Sequence, residues 1–226
     1  MEIKGWHKVS LIDYPEKVST LIFTYGCNLR CPYCHNPELV LKRYKKHLQN
    51  IKECDIIEFI KKKNANKKWI DGISICGGEP TIQNDLINFC KKIKDELGIK
   101  IKIDTNGTNP TVLKKLIDNK LVDYIAMDVK VDLLKDKKYK KSVELVKEMK
   151  DYEFRLTVVP KLITEENIEK IIENFKNAKR FYLQKFEKRG NLLSNSYKNI
   201  TNYKKNDLEK MCKKISKYFK KCEVRG

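Results

Sequence analysis

The feature that most restricts the fold of this chain is an alternation, repeated along its length, of short β-branched apolar runs with longer amphipathic stretches. Val18–Thr24, Ile70–Cys76, Ile99–Asp104, Val122–Asp128, Phe154–Val159 and Arg180–Phe186 each read as a strand. Between them, Leu86, Cys90, Ile93 and Leu97 recur at helical spacing, and Ile168, Ile171, Ile172 and Phe175 line a second helical face. Asn206 with Glu209 resembles a capping box opening a last helix, striped by Leu208, Met211, Cys212, Ile215 and Phe219. Repeated strand–helix units imply parallel strands joined by right-handed crossovers. Six units stop short of the eight that close a full barrel. The expected fold is therefore α/β: a partial six-stranded (β/α)6 barrel, an open parallel sheet with helices outside. The 226 residues suit a single domain over 1–226 with a real core. Phe186–Lys205 is polar and Asn-rich, lacks a period, and reads as a long surface loop.

In such sheets the chemistry sits at the C-terminal ends of the strands. The unusual residues fall there. Cys27 follows the first strand, Gly77-Gly78-Glu79-Pro80 the second, Thr105-Asn106-Gly107 the third and Asp128-Val129-Lys130 the fourth. Residues distant in sequence are thus expected on one face.

No stretch approaches the roughly 20 apolar residues of a membrane span, and the first residues carry no apolar signal core. A cytoplasmic protein with no membrane partner is expected. Eight cysteines in such a chain argue for metal or redox chemistry rather than a disulfide framework. The net charge of +19 admits an acidic protein or a nucleic acid as partner. The lysines are spread along the chain without regular stacking aromatics, so a solvated basic surface is the simpler reading and nucleic acid is not expected.

Cys27-Asn28-Leu29-Arg30-Cys31-Pro32-Tyr33-Cys34 places three thiols within eight residues. Three thiolates can hold three irons of a cubane and leave the fourth open for a small molecule. Other readings compete. A structural zinc site wants four ligands, and Cys54, Cys76, Cys90, Cys212 and Cys222 form no second pair; His35, adjacent to Cys34, is poorly placed to close a tetrahedron. Cys31-Pro32-Tyr33-Cys34-His35 is formally a haem-attachment motif, which normally needs export. A thioredoxin-like pair leaves Cys27 unexplained. Cys90 and Cys212, on apolar helix faces, read as core residues, and Cys76 as a buried strand residue.

The C-x3-C-x2-C spacing, with an aromatic before the third cysteine, resembles the radical S-adenosylmethionine superfamily. Gly77-Gly78-Glu79-Pro80 is similar to that superfamily's GGEP motif. Within it, Cys34-His35-Asn36-Pro37, Asp104-Thr105-Asn106-Gly107 and Asp128-Val129-Lys130 resemble the glycyl-radical-enzyme activating enzymes. Gly5-Trp6 through Asp13-Tyr14-Pro15 is similar to the anaerobic ribonucleoside-triphosphate reductase activating branch. The likeness runs from about Gly5 to Gln184. No extra cysteines for a ferredoxin-like insert follow the motif, so one cluster is expected.

The resemblance implies a [4Fe–4S] cluster on Cys27, Cys31 and Cys34, with S-adenosylmethionine bound at its open iron. It implies cofactor contacts from Tyr33, Cys34, His35, Gly77, Gly78, Glu79, Asp104, Thr105, Asn106, Asp128, Val129, Lys130, Arg155 and Gln184. In that reading the glycines admit backbone close to the ligand, Glu79 faces the methionyl ammonium, and Tyr33 walls the adenine. Asp128 and Lys130, two apart and so on one face of an extended chain, meet ribose and carboxylate. Arg155 clamps the carboxylate. Gln184 stands where related enzymes carry a histidine. Asp104, Thr105, Met127 and Asp128 match positions that hold a monovalent cation in some relatives. The implied activity is reductive cleavage of S-adenosylmethionine to a 5′-deoxyadenosyl radical, which takes hydrogen from a glycine of a partner glycyl-radical enzyme, the anaerobic ribonucleotide reductase first among them. A low-potential donor such as ferredoxin or flavodoxin is implied as well. Two alternatives stand beside it: a radical enzyme acting on a small nucleotide precursor, as 7-carboxy-7-deazaguanine synthases do, and a non-catalytic, metal-stabilised nucleic-acid module.

Overall fold

The computed structural model describes residues 1–188 and 190–226, the Glu165 side chain excepted. The fold is α/β, with an open, mostly parallel sheet whose strand order is that of the chain. The chain divides into two compact units. The first comprises Met1–Arg30, Asn36–Thr105 and Thr111–Ile125; the second comprises Cys31–His35, Asn106–Pro110 and Ala126–Gly226.

The first unit opens with β1 (Ile3–Ser10), which pairs antiparallel with β2 (Ser19–Thr24). Helices α1 (Pro37–Val40) and α2 (Glu53–Asn64) precede β3 (Gly72–Gly77), and α3 (Leu86–Leu97) leads to β4 (Lys100–Thr105). α4 (Pro110–Asp118) follows. β2, β3 and β4 pair in parallel, with Thr24 opposite Gly77 and Ile75 opposite Ile103. Their β-branched side chains make the core: Ile22, Ile73, Ile75, Ile101 and Ile103 are fully buried, as are Phe89, Cys90 and Ile93 of α3. Helix α3 stops at Gly98, whose φ of +60° provides the left-handed cap that disfavours other residues.

After β5 (Tyr124–Asp128), the second unit continues through α5 (Lys137–Lys147), β6 (Tyr152–Val158), α6 (Glu165–Phe175), β7 (Phe181–Lys185), α7 (Lys205–Ile215) and β8 (Cys222–Arg225). β6, β7 and β8 pair in parallel. Phe154, Phe175 and Phe181 meet edge-on at centroid distances of 4.7 and 6.0 Å and anchor the core of this unit.

The six expected strands are β2 to β7, each within a few residues of its predicted span. Two flanking strands, β1 and β8, were not expected. The last helix begins at Lys205, and the carboxylate of Asp207 accepts the Lys204 N–H, so Asn206 lies inside the helix and does not cap it with Glu209. The segment read as a surface loop is only partly one. Phe186 and Leu192 are buried with Val159, and Asn195–Tyr197 forms a single tight turn; Arg189, in the same segment, lies outside the described residues. Among the described residues, no helix is long and apolar enough to cross a membrane.

Candidate active site

In the first unit, the glycine motif holds the start of the cysteine loop. Gly78 N–H donates to Thr24 O at 2.8 Å, and Glu79 N–H donates to Gly26 O at 2.8 Å. Gly77 has φ +115°, and a Cβ there would lie 2.4 Å from Thr24 N. A Cβ on Gly78 would lie 1.8 Å from Gly26 O. Only glycine allows this approach, which fixes the backbone immediately before Cys27. The glycines therefore have a task beyond the ligand contact that their resemblance implies.

Glu79 is buried at 1% exposure. Its Oε1 accepts from Thr81 N at 3.1 Å, Thr81 Oγ1 at 2.6 Å and Thr105 Oγ1 at 2.7 Å. These bonds bring Glu79 and Thr105 together across β3 and β4 and compensate the carboxylate's desolvation. Asp104 pairs with Lys102, whose side chain is almost wholly buried. Lys102 carries no signal in the sequence beyond being a lysine between Ile101 and Ile103.

In the second unit, Cys31 and Cys34 sit on one turn, with Cys34 N–H donating to Cys31 O at 3.0 Å. The partly buried segment after β7 braces this turn: Leu193 N–H donates to Cys34 O at 3.1 Å, and Ser194 N–H to Pro32 O at 2.9 Å. Tyr33 packs against the Val159–Phe186–Leu192 cluster. His35 stacks on Phe186 at 5.8 Å, and its Nε2 bonds the Glu187 carbonyl. This brace was not legible in the sequence, because its partners lie more than 150 residues from the cysteines.

Asp128, at the end of β5, is the hub of a polar group. Its Oδ1 accepts from Arg155 Nη2 at 3.0 Å and Nε at 3.2 Å, and its Oδ2 from Lys130 Nζ at 3.2 Å. The buried Tyr139 fixes the backbone here, donating to Asp128 O at 2.8 Å and accepting from Lys130 N at 3.0 Å. Val129 N–H donates to Arg155 O at 2.7 Å. Lys130 lies 5.8 Å from the centre of the Tyr33 ring. Burial pushes the Tyr33 hydroxyl up to about 12; Lys130 opposes the shift, while the Cys31 thiol and Asp128 reinforce it. Burial works against the charge on Lys130, but Asp128, Tyr33 and Cys31 together hold its pKa above the ordinary lysine value. Asn106 is buried and accepts from Thr108 N and Oγ1 at 3.0 and 2.6 Å. Gln184, half-buried on β7, lies opposite Thr157 on one side and Arg225 on the other.

One unanticipated feature lies on the same strands. Arg225 of β8 crosses the face of Tyr182 at 3.3 Å and forms a two-pronged ion pair with the buried Glu153, at 2.9 and 3.0 Å.

None of the three clustered cysteines is in a disulfide, and all are half-exposed. Thiols are the soft donors that an iron–sulfur cluster takes; among the described residues, no three His, Cys, Asp or Glu side chains are gathered as a metal site.

The Radical SAM superfamily matches residues 21–178 of this sequence. The chain belongs to that superfamily. A protein of Methanocaldococcus jannaschii, named provisionally as a glycyl-radical enzyme activating enzyme, is 36% identical over 99% of this chain and 95% of its own. The pyruvate formate-lyase-activating enzyme of Clostridium pasteurianum is 30% identical, with 96% of each chain covered. Within the superfamily, the chain thus belongs with the glycyl-radical enzyme activating enzymes, which are oxidoreductases using a [4Fe–4S] cluster and S-adenosylmethionine. The crystal structure of Streptococcus suis SuiB bound to its precursor peptide SuiA shares the fold, with a TM-score of 0.62 and 19% identity over 91% of this chain; the chain spans about half of SuiB, 48%. TYW1 with a lysine–pyruvate adduct shares it at a TM-score of 0.54 and 13% identity, over 88% of this chain and 73% of that one.

Proposed function

We propose that this chain installs a glycyl radical in a large protein partner, the anaerobic ribonucleotide reductase being the first candidate. The observation that carries the reading is the end-to-end likeness to activating enzymes on both chains' full lengths. The similarity of the opening segment, Gly5 to Pro15, to the reductase-activating branch supports this choice of partner. When bound, the cluster supplies the electron that splits the sulfonium of S-adenosylmethionine, and the cosubstrate's 5′-deoxyadenosyl group takes up the hydrogen.

The chain's own residues have separate tasks in this reading. Cys27, Cys31 and Cys34 hold the cluster. Asp128 is fixed by Arg155 and Lys130, and this group orients the polar parts of the cosubstrate. Tyr33, kept protonated by burial, presents an apolar wall and one hydroxyl. Glu79 and Thr105 hold the ends of β3 and β4 in register beside the cysteine loop. The partner's glycine suits the reaction because it has no side chain to obstruct its Cα, and the radical left there is stabilised by the flanking amide and carbonyl. The net charge of +19 steers an acidic partner, with an association rate that falls as salt rises. The electron donor is a low-potential protein of the ferredoxin or flavodoxin kind, and the reaction takes place in the cytoplasm.

The test is anaerobic incubation of reduced, cluster-loaded protein with S-adenosylmethionine and the reductase, read by electron paramagnetic resonance. A doublet-like glycyl signal, lost when the partner's target glycine is changed to alanine, is the expected result. Turnover of a purified nucleotide precursor, with no signal from any glycyl-radical partner, overturns it.

A further inference from the structure

The cluster accounts for three of the eight cysteines. Of the other five, Cys90 is buried inside α3 with its thiol pushed up to about 12 by burial, and Cys54 is exposed on α2 beside Asp55. Cys212 and Cys222 differ from these. Cys212 belongs to the buried stripe of α7, with Leu208 and Ile215, and Cys222 opens β8 half-buried. Their Sγ atoms are 2.9 Å apart and unbonded. A disulfide bond is about 2.0 Å long, so closure requires movement of about an ångström.

The pair is held in place by its surroundings. Between the two cysteines, Tyr218 O accepts from Asn177 N at 2.7 Å, Lys220 N donates to Ala178 O at 2.9 Å, and Lys221 O accepts from Phe181 N at 2.9 Å. Phe219 stacks on Phe181 at 4.3 Å. The turn from α7 to β8 is therefore anchored to the second unit on both sides of its aromatic. An open surface groove of about 480 Å³ is lined by both cysteine residues together with Lys205, Glu209, Lys213 and Ser216.

We propose that Cys212 and Cys222 are a thiol–disulfide modification site, closed by a small disulfide oxidant of the glutathione disulfide class. One cysteine thiolate attacks the oxidant's S–S bond, forming a mixed disulfide and releasing one thiol. The second thiolate attacks that mixed disulfide and releases the other thiol. Two protein S–H bonds and one oxidant S–S bond become one protein S–S bond and two oxidant S–H bonds, and two electrons pass to the oxidant. Burial and the neighbouring Cys212 hold the Cys222 thiol above its usual range, so exchange is slow and is followed to equilibrium. The link fastens α7 to β8, the strand that carries Arg225 to Glu153 and Tyr182. Neither cysteine is a cluster ligand, so the site stands independently of the proposed reaction.

The test uses the cluster-loaded chain, handled without oxygen and titrated with glutathione disulfide. It is read by alkylation and peptide mass spectrometry, with amide exchange followed at residues 223–225. Exposed Cys54 reports the oxidant level by forming a glutathione adduct. The expected result is a Cys212–Cys222 linked peptide, slower exchange in β8, and conversion of Cys222 to a glutathione adduct in Cys212→Ser. Cys222→Ser, altered at a half-buried position that preserves the helix stripe, loses the link with iron content unchanged. The proposal is overturned if both thiols remain alkylatable once Cys54 is modified, or if Cys222 of the unaltered chain carries glutathione or another cysteine instead.

Discussion

Replacing Gly78 with alanine should damage the protein severely, and the size of the effect follows from the backbone. The added Cβ would lie 1.8 Å from Gly26 O and 2.6 Å from Gly26 C, far inside any contact a real Cβ makes. These are main-chain atoms, so no side chain can swing away. Either the strand end or the segment before Cys27 must move by more than an ångström. Such a shift breaks the bonds from Gly78 N to Thr24 O and from Glu79 N to Gly26 O. Overpacking strain costs about 1–3 kcal/mol, and each lost bond about 1 kcal/mol net. The sum, about 3–5 kcal/mol, is a large part of the stability of an ordinary domain, roughly 5–15 kcal/mol. Gly98→Ala is the control: φ is +60°, but a Cβ there meets nothing within 4 Å. It should cost only the left-handed penalty, about 1–2 kcal/mol. Urea unfolding of both variants, together with iron content after reconstitution, separates the cases. Gly78→Ala should show much the lower midpoint and lose iron, whereas Gly98→Ala should keep it. Equal midpoints, or full iron retention in Gly78→Ala, would refute the claim that this motif anchors the cysteine loop.

Other predictions follow from particular contacts. Asp128→Ala removes the carboxylate shared by Arg155 and Lys130; calorimetry should show S-adenosylmethionine binding weakened by about tenfold or more, the loss of one charge-assisted bond, with iron content intact. Phe186→Ala empties the cluster against which Tyr33 packs and should destabilise by about 3–5 kcal/mol, with faster loss of iron on exposure to a chelator. Asp123 is desolvated, yet bonds from Lys94, Lys100 and Ile101 N outweigh that cost and lower its pKa. A depressed carboxyl pKa adds stability above the unfolded value, about 3.9, and loses it as pH falls through the folded value. Asp123→Asn should therefore be about 2 kcal/mol less stable at neutral pH, the gap to the unaltered protein closing in acid; a gap independent of pH would refute the assignment.

What was legible in the sequence was local. The six β-branched runs became β2 to β7 because an apolar run flanked by turn residues has little alternative to a buried strand. β1 carries no such signal, because Ile3–Ser10 mixes Gly5, Lys4, His7 and Lys8 into an antiparallel edge with a largely accessible face. β8 has four residues, two of them charged, and gains its order from β7 and from the Arg225–Glu153 pair 72 positions away. The cysteine motif was readable because its spacing is short. Its supports were not: Leu193, Ser194 and Phe186 reach the loop through the fold, and their sequence looks polar and aperiodic. The buried charges Lys102 and Glu153 likewise make sense only once Asp104 and Arg225 stand beside them.

The central claim, hydrogen removal from a partner glycine, is tested most directly by isotope transfer. The reductase is prepared with its glycines deuterated at Cα and incubated anaerobically with the reduced chain and unlabelled S-adenosylmethionine. The account predicts deuterium in the 5′-deoxyadenosine product by mass spectrometry, and none when the target glycine is replaced by alanine. Unlabelled 5′-deoxyadenosine from the intact, fully deuterated partner, formed at the same rate with or without it, would contradict the account.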